Sequence, residues 1–571
     1  MRNARGFVIM LAVAAVIVAA VVSTRGGGDK QASPGPTTTA EPAKTTTTAP
    51  AGAVKIVLAY SPEKDEMLTR LIAQYNDEHH KVGGSEVFVE GQKWSSGESE
   101  SKIAQGVFRP TAWSPSSSLW GRLLNFQADK TYVADSNPSL VRTPLVIAMW
   151  ESEAKALGWP RRQTSWAEIL KMATSSTGWA KYGLPTYGQF RLGHTNPDFS
   201  TSGLSAVVAQ YYAVTGKHEN LTPADVSRPN ARAAVKQIQQ SVVHYGDTTL
   251  FFADQLKLHG PAYASAVAME EVTLLDYNRT RPQGAERLLA EYPSDGTFYS
   301  DDPYITLNAP WVTPAQKQAS DAFGAWLVAQ IDPSLAAQYG FRPGDRTLKP
   351  VAPIDQAHGV LPAQPALVLQ LPTPRVLALV KSFWHADRKP ANVELVVDVS
   401  GSMQEGDRIR QAIRGLQRFL RELSPRDRVG LLYFNDALHE GVGIAPFETN
   451  APQLRSTVDR LIADGSTALY DATARGVANV EALADDSRIN AVVVLSDGQD
   501  TASKLNLSQL LAKLNARSAS EGRQVRIFTI AYGEDADQSV LERIAVASGG
   551  KAFVGDPTQI EKVYLQISSF F

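Results

Sequence analysis

Two carboxylates and three hydroxyls from three separate stretches are the residues whose types and order could do chemistry. Asp398, Ser400 and Ser402 alternate in VVDVSGSM, Thr467 sits in DGSTALYD, and Asp497 ends VVVLSD. All five offer hard oxygen. A small dication such as Mg2+ takes six oxygens at about 2.1 Å and keeps several waters, so it needs few protein carboxylates. This set would hold Mg2+, or Mn2+ or Ca2+, electron-poor and with an open position for an incoming carboxylate. Gly401 lets the loop turn tightly around the ion. A plainer reading competes, because Asp and Ser ahead of a helix commonly cap it. Asp471 and Asp500 are nearby and read as helix caps or water-orienting groups. No water-activating base stands out. The nine His are scattered, and no H-E-x-x-H, G-x-S-x-G or phosphate-loop pattern occurs. The expectation is a binding site, not an enzyme.

The elements that must position these residues alternate strand and helix. Val393–Asp398, Val429–Phe434, Ala491–Ser496 and Val525–Ala531 are short runs rich in Val, Ile or Leu, as strands buried on both faces require. Ile409, Ile413, Leu416, Leu420 and Leu423 recur at helical spacing, with Arg408, Arg410, Arg414 and Arg418 between them. Alternating strands and helices predict a parallel sheet covered by helices. Ligands of such α/β sheets bind at the carboxyl ends of the strands, where Asp398 and Asp497 stand.

Residues 391–571 resemble the von Willebrand factor A-type (VWA) domain with its metal-ion-dependent adhesion site. The family pattern Asp-x-Ser-x-Ser is met by Asp398, Ser400 and Ser402, its Thr by Thr467 and its later Asp by Asp497. The resemblance implies a doubly wound, Rossmann-like domain. It also implies direct metal ligation by Ser400 and Ser402, ligation by Thr467 directly or through water, and carboxylates acting partly through water. The partner it implies is a protein carrying an acidic side chain.

A different composition precedes this region. All ten Trp lie between Trp94 and Trp384, and a Pro-rich passage runs from Arg342 to Pro374. The reading is one folded region over 54–385 and another over 391–571, with Val376–Trp384 a helix packed back on the first. In the first region VKIVLAY and TPLVIAMW read as strands. Hydroxyl-rich turns at Ser61, at 113–118 and at 193–203 feed helix N-termini, whose free N–H groups attract anions or polar oxygens. The region resembles bacterial extracellular solute-binding proteins of the two-lobed (type II) kind, near the molybdate and sulfate binders. The candidate cleft residues are Ser61, Ser117, Thr201, Ser202 and Tyr277, with ordinary caps and turns as the plainer alternative. The solute would be a small molecule or an oxyanion.

Composition bounds the rest. At about 150 residues per domain, 571 residues are too many for one core. A formal charge of −2 argues against nucleic acid as partner. The absence of Cys excludes disulfides, thiolate metal sites and cysteine nucleophiles. Arg2 and Arg5 precede an uncharged apolar run, Phe7–Val22, in the form of an export signal. The reading is a cytoplasmic stub (1–6), an uncleaved signal-anchor helix (7–23) and a disordered Pro/Thr-rich linker (24–53). Secretion after cleavage at Ser23 is the alternative. These features together describe a membrane-anchored, extracytoplasmic binding protein. A transport receptor and a chelatase-like metal-inserting subunit are the alternatives.

Overall fold

Three sheets organise the chain, each built on the apolar runs of the sequence. The computed structural model describes residues 49–518, 525–555 and 560–571; the expected segments 1–6 and 7–23 and nearly all of the 24–53 linker lie outside them. Among the described residues, no helix is long and apolar enough to cross a membrane. Pro50–Phe571 form one compact unit.

The first sheet holds β1 (Val54–Tyr60), β2 (Lys81–Val82), β3 (Ser85–Lys93), β4 (Ala112–Ser114) and the returning β11 (Ile305–Thr306), in the order β11-β4-β1-β3-β2. The second holds β5 (Val141–Trp150), β6 (Leu192–Thr195), β7 (Val242–Gly246), β8 (Ala266–Glu270) and β10 (Tyr299–Ser300), in the order β10-β5-β8-β6-β7. Two further strands, β9 (Leu288–Glu291) and β12 (Arg342–Pro343), also pair with β5. Each sheet is the floor of a lobe. From the first lobe, helices α1 (Ser96–Ala104) and α2 (Ser118–Ala128) face α3 (Thr201–Thr215) and α4 (Thr249–His259) of the second.

The C-terminal sheet runs β15 (Leu438–Pro446), β14 (Arg428–Phe434), β13 (Ala391–Asp398), β16 (Ile489–Ser496), β17 (Arg526–Tyr532), β18 (Ala552–Gly555). All pairings are parallel except that of β15 on β14. Every residue of β13 is buried, Asn392 and Glu394 included, and its apolar run Leu395–Val397 marks it as a strand covered on both faces. The edge strand β15 was not expected. It alternates exposed and half-buried positions and contains two Gly, so it lacks the apolar run that marks its neighbours. The order of β13 beside both β14 and β16 makes the gap between β13 and β16 a switch point, where crevices form at carboxyl ends.

Helix α5 (Pro374–Asp387) links the regions. Pro374 opens it and the Thr373 hydroxyl accepts from Val376 N, a cap that fixes its start. It buries Val376, Leu377, Val380 and Trp384. Its Asp387 pairs with Arg232 of the second lobe at 2.7 Å, while Lys381 lies over the Trp120 ring of α2 in the first. The C-terminal domain then docks on the second lobe by the amino-terminal ends of its strands. Arg526 at the start of β17 lies 4.5 Å from the Tyr263 ring centroid. Lys551, just before β18, pairs with Asp247 at 2.6 Å. Lys389, just before β13, donates to Val242 O at 3.2 Å.

Candidate functional site

At the opposite, carboxyl-terminal edge the five sequence-predicted oxygen donors come together. β13 delivers Asp398, and the chain turns into a short 3-10 segment, Gly401–Asp407, whose first turn carries Ser402. Backbone bonds pin the facing loop: Gly401 N donates to Gly465 O at 2.9 Å and Asp464 N to Val399 O at 2.8 Å. That places Thr467, just ahead of α7 (Leu469–Glu481), beside the first loop. Ser400 Oγ and Ser402 Oγ lie 3.1 Å apart, and Ser402 Oγ donates to Asp497 Oδ1 at 2.7 Å. The position a Gly498 Cβ would take is 3.6 Å from Ser402 Oγ and 3.7 Å from Thr467 Oγ1, so both hydroxyls face one small space. Thr467 Oγ1 has no hydrogen-bond partner among the described residues.

Asp398 is oriented by Ser400 N on Oδ1 (2.8 Å) and by the Ser496 hydroxyl on Oδ2 (2.6 Å). Burial pushes its carboxyl up to about 6; hydrogen bonds from Ser400 and Ser496 oppose the rise, and the charge of Asp497 adds to it. Burial also raises Asp497, against Ser402 and Arg408. Two carboxylates shifted upward by burial and a hydroxyl with no partner among the described residues fit a bound dication, which would stabilise the charged carboxylates. Asp471 and Asp500 serve the scaffold instead. Asp471 accepts from Lys504 N and Leu505 N, and Asp500 from Tyr470 N and Ser503 Oγ.

Two residues here were not expected. Ser496 is the last residue of a buried strand. Arg408 opens the helix α6 (Arg408–Glu422), where its Nη1 donates to Asp497 Oδ2 at 3.0 Å and its Nη2 to Asp535 Oδ2 at 2.7 Å. A cation on the first residue of a helix opposes the helix dipole, and that misplacement was the available signal.

The cleft between the lobes differs. Its cavity is about 20 Å3, room for one water, and its walls include Glu63, Ser96, Thr201, Asp247, Thr249 and Glu270. Of the five expected residues only Thr201 lines it, and that hydroxyl already accepts from Trp120 Nε1 at 2.8 Å. Ser61 Oγ is bonded to Glu63 and to Lys64 Nζ, Ser117 Oγ caps its own helix by accepting from Leu119 N, Ser202 Oγ bonds Thr195 and Ser200, and Tyr277 OH donates to Glu286 O. The oxyanion expectation meets three carboxylates. Burial works to raise Glu63, but Lys64 and the hydroxyls of Ser61 and Ser116 outweigh it and hold the carboxyl low. Glu270 is pushed up to about 7 by burial and then by the charge of Glu63. The lobes touch directly. Gly97 N of α1 donates to Phe199 O at 3.0 Å, and a Cβ on Gly97 would stand 1.9 Å from Asp198 O.

The sequence model of the bacterial extracellular solute-binding protein family matches residues 56–342, just over half of the chain. That of the von Willebrand factor type A domain matches residues 392–566. The chain belongs to the bacterial extracellular solute-binding proteins and carries a VWA domain. An uncharacterized protein of Mycobacterium tuberculosis is 24% identical over 459 residues, 77% of this chain and 64% of that protein. Inter-alpha-trypsin inhibitor heavy chain H4 of Sus scrofa is 31% identical over 168 residues, 28% of this chain and 18% of the heavy chain. The chain thus spans under a fifth of that first curated relative. Among solved structures, a periplasmic thiamin binding protein matches 59% of this chain and 96% of its own at 11% identity, TM-score 0.41. A von Willebrand factor type A structure from Catenulispora acidiphila matches 32% of this chain and 42% of its own at 21% identity, TM-score 0.28.

Proposed function

We propose that this solute-binding/VWA protein is an extracytoplasmic binding protein, anchored by its N-terminal apolar segment, that grips an acidic group of a protein partner through a divalent cation. Ser400, Ser402 and Thr467 would hold the ion with Asp398 and Asp497, and Mg2+ or Mn2+ suits their oxygens. When bound, the ion supplies an electron-poor centre for an outside carboxylate. The observation that carries the reading is the convergence of these five residues on the edge of the sheet opposite the docked lobe. Among the described residues, the hydrogen bonds and ion pairs that tie the VWA domain to the second lobe through Lys389 and Lys551 lie at the other ends of the strands, which leaves this edge for a partner.

Binding, rather than catalysis, is the reading for both regions. The solute-binding region would recognise a small molecule or a protein. The nearly filled cleft favours a scaffold or protein-binding role; family membership favours the second reading, a receptor that hands solute to a permease. Mn2+ titrated into the full chain by calorimetry tests the first proposal. Wild type should bind, and Asp398→Ala should lose more than a hundredfold in affinity. Equal heats for the two proteins end it. A thermal-shift panel of oxyanions and sugars tests the receptor reading. A ligand at 100 times its Kd adds about 2.7 kcal/mol, and a flat panel removes that reading.

A further inference from the structure

Arg408 is the one guanidinium in direct contact with the proposed metal centre among the described residues, and neither the family match nor the ligand pattern accounts for it. Its side chain is 12% exposed and touches Asp497, which is fully buried. Asp497 divides its oxygens: Oδ1 takes the Ser402 hydroxyl and Oδ2 takes Arg408 Nη1. The second arm of the fork reaches the exposed Asp535 at 2.7 Å. Local structure holds this arrangement. Asp407 has a left-handed backbone (φ +68°) and turns the chain so that Arg408 begins the helix beside Asp497. Tyr532 OH donates to Arg408 O at 2.9 Å and fixes the backbone from the neighbouring strand.

The charges decide what this does. Asp398 and Asp497 contribute two negative charges, and the three hydroxyls contribute none. Two carboxylates alone would neutralise a dication. With Arg408 on Asp497, the holding groups sum to one negative charge, less whatever share of Arg408 Asp535 draws away. The bound ion then keeps a net positive charge at its open position.

We propose that Arg408 is a positioning and charge-setting residue that weakens the hold on the cation and strengthens the cation's hold on an external carboxylate. This inference rests on the cation-binding reading and deepens it, because it says why the partner's group is anionic. Removing a unit charge several ångströms from a dication, at the dielectric near that of water which an edge open to solvent approaches, changes affinity by about tenfold.

The test uses the full chain, Mn2+ and acetate. Free Mn2+ is followed by electron paramagnetic resonance, and acetate displacing metal-bound water is followed by water proton relaxation. Arg408→Gln should bind Mn2+ about tenfold more tightly and need about tenfold more acetate. Arg408→Lys, which keeps the charge but not the fork, should stay within about threefold of wild type on both readouts. Asp535→Asn leaves the whole charge on Asp497 and should weaken Mn2+ binding by about threefold. Equal or weaker Mn2+ binding by a natively melting Arg408→Gln overturns the inference, as does Arg408→Lys behaving like Arg408→Gln. If Arg408→Gln does not fold, unchanged or tighter binding by Asp535→Asn overturns it. A wild type that takes no Mn2+ removes the cation reading itself. A binding wild type with a flat Arg408 series removes only this inference.

Discussion

The two polar centres use the same residue types to opposite effect. At the end of β13, hydroxyls and carboxylates bond to one another on an edge where Thr467 Oγ1 has no hydrogen-bond partner among the described residues. Between the lobes, Ser61, Ser116, Ser202 and Thr201 are spent on Glu63, Ser200, Thr195 and Trp120, and the space that remains is about 20 Å3. One centre keeps a hydroxyl in reserve among the described residues. The other is largely satisfied from within.

The largest effect that could break this contrast is at the lobe contact. Gly97→Ala puts a Cβ 1.9 Å from Asp198 O, so either the lobes part or the fold loses about 2–4 kcal/mol, on the scale of overpacked sites. Small-angle scattering and urea unfolding read the two outcomes, and a variant equal to wild type in both would mean the closed contact is not maintained in solution. Next comes a matched pair. Thr467→Ala should lower Mn2+ affinity about tenfold and leave melting unchanged. Thr201→Ala should leave Mn2+ binding alone and cost about 1–2 kcal/mol, because the buried Trp120 N–H loses its acceptor. A reversed pattern would exchange the roles assigned to the two centres.

A third prediction concerns Glu394 in β13. Burial, and then the charge of Glu440, push its carboxyl up to about 8 against a hydrogen bond from Asn479. In the unfolded chain it ionises near 4.3. Between those values the unfolded chain binds fewer protons, so stability falls as pH rises from about 4 to 8 and stays lower above. Glu394→Gln should match wild type near pH 4 and exceed it at pH 9 by about 1–2 kcal/mol in denaturant titrations. A constant difference at both pH values would refute the assigned burial. The smallest effect is expected at Lys551→Ala. The pair with Asp247 is part-exposed, at 33% and 17%, and such pairs are worth about 0–1 kcal/mol. A loss above about 2 kcal/mol would mark Lys551 as central to docking.

The legible parts were those with local or strongly patterned signals. β13, β14, β16 and β17 are buried on both faces, so they spell mainly apolar runs, and Asp398, Ser400 and Ser402 fall within five positions. Thr467 and Asp497 lie far from them in the chain and were placed beside them by the strand ends of a parallel sheet, and then by the family pattern. Arg408 was seen as one of several polar residues on an amphipathic helix; its partner Asp497 is 89 positions away, and nothing local announces the pair. The cleft failed for another reason. Ser117 before a helix has the same spelling whether it caps that helix or faces a solute, and here it caps. The carboxylate of Glu63, two positions after Ser61, takes the hydroxyl that an oxyanion would need.

The docking of the VWA domain by the starts of its strands has a mechanical consequence. A tug applied at Asp398 would travel along β13 toward Lys389 and the second lobe. The ladder bonds on either side of β13 link it to β14 and β16, crossing the direction of that tug. Strands loaded in this way slide only if many bonds break together, so tension between the Asp398 edge and the second lobe would be met in shear rather than by unzipping.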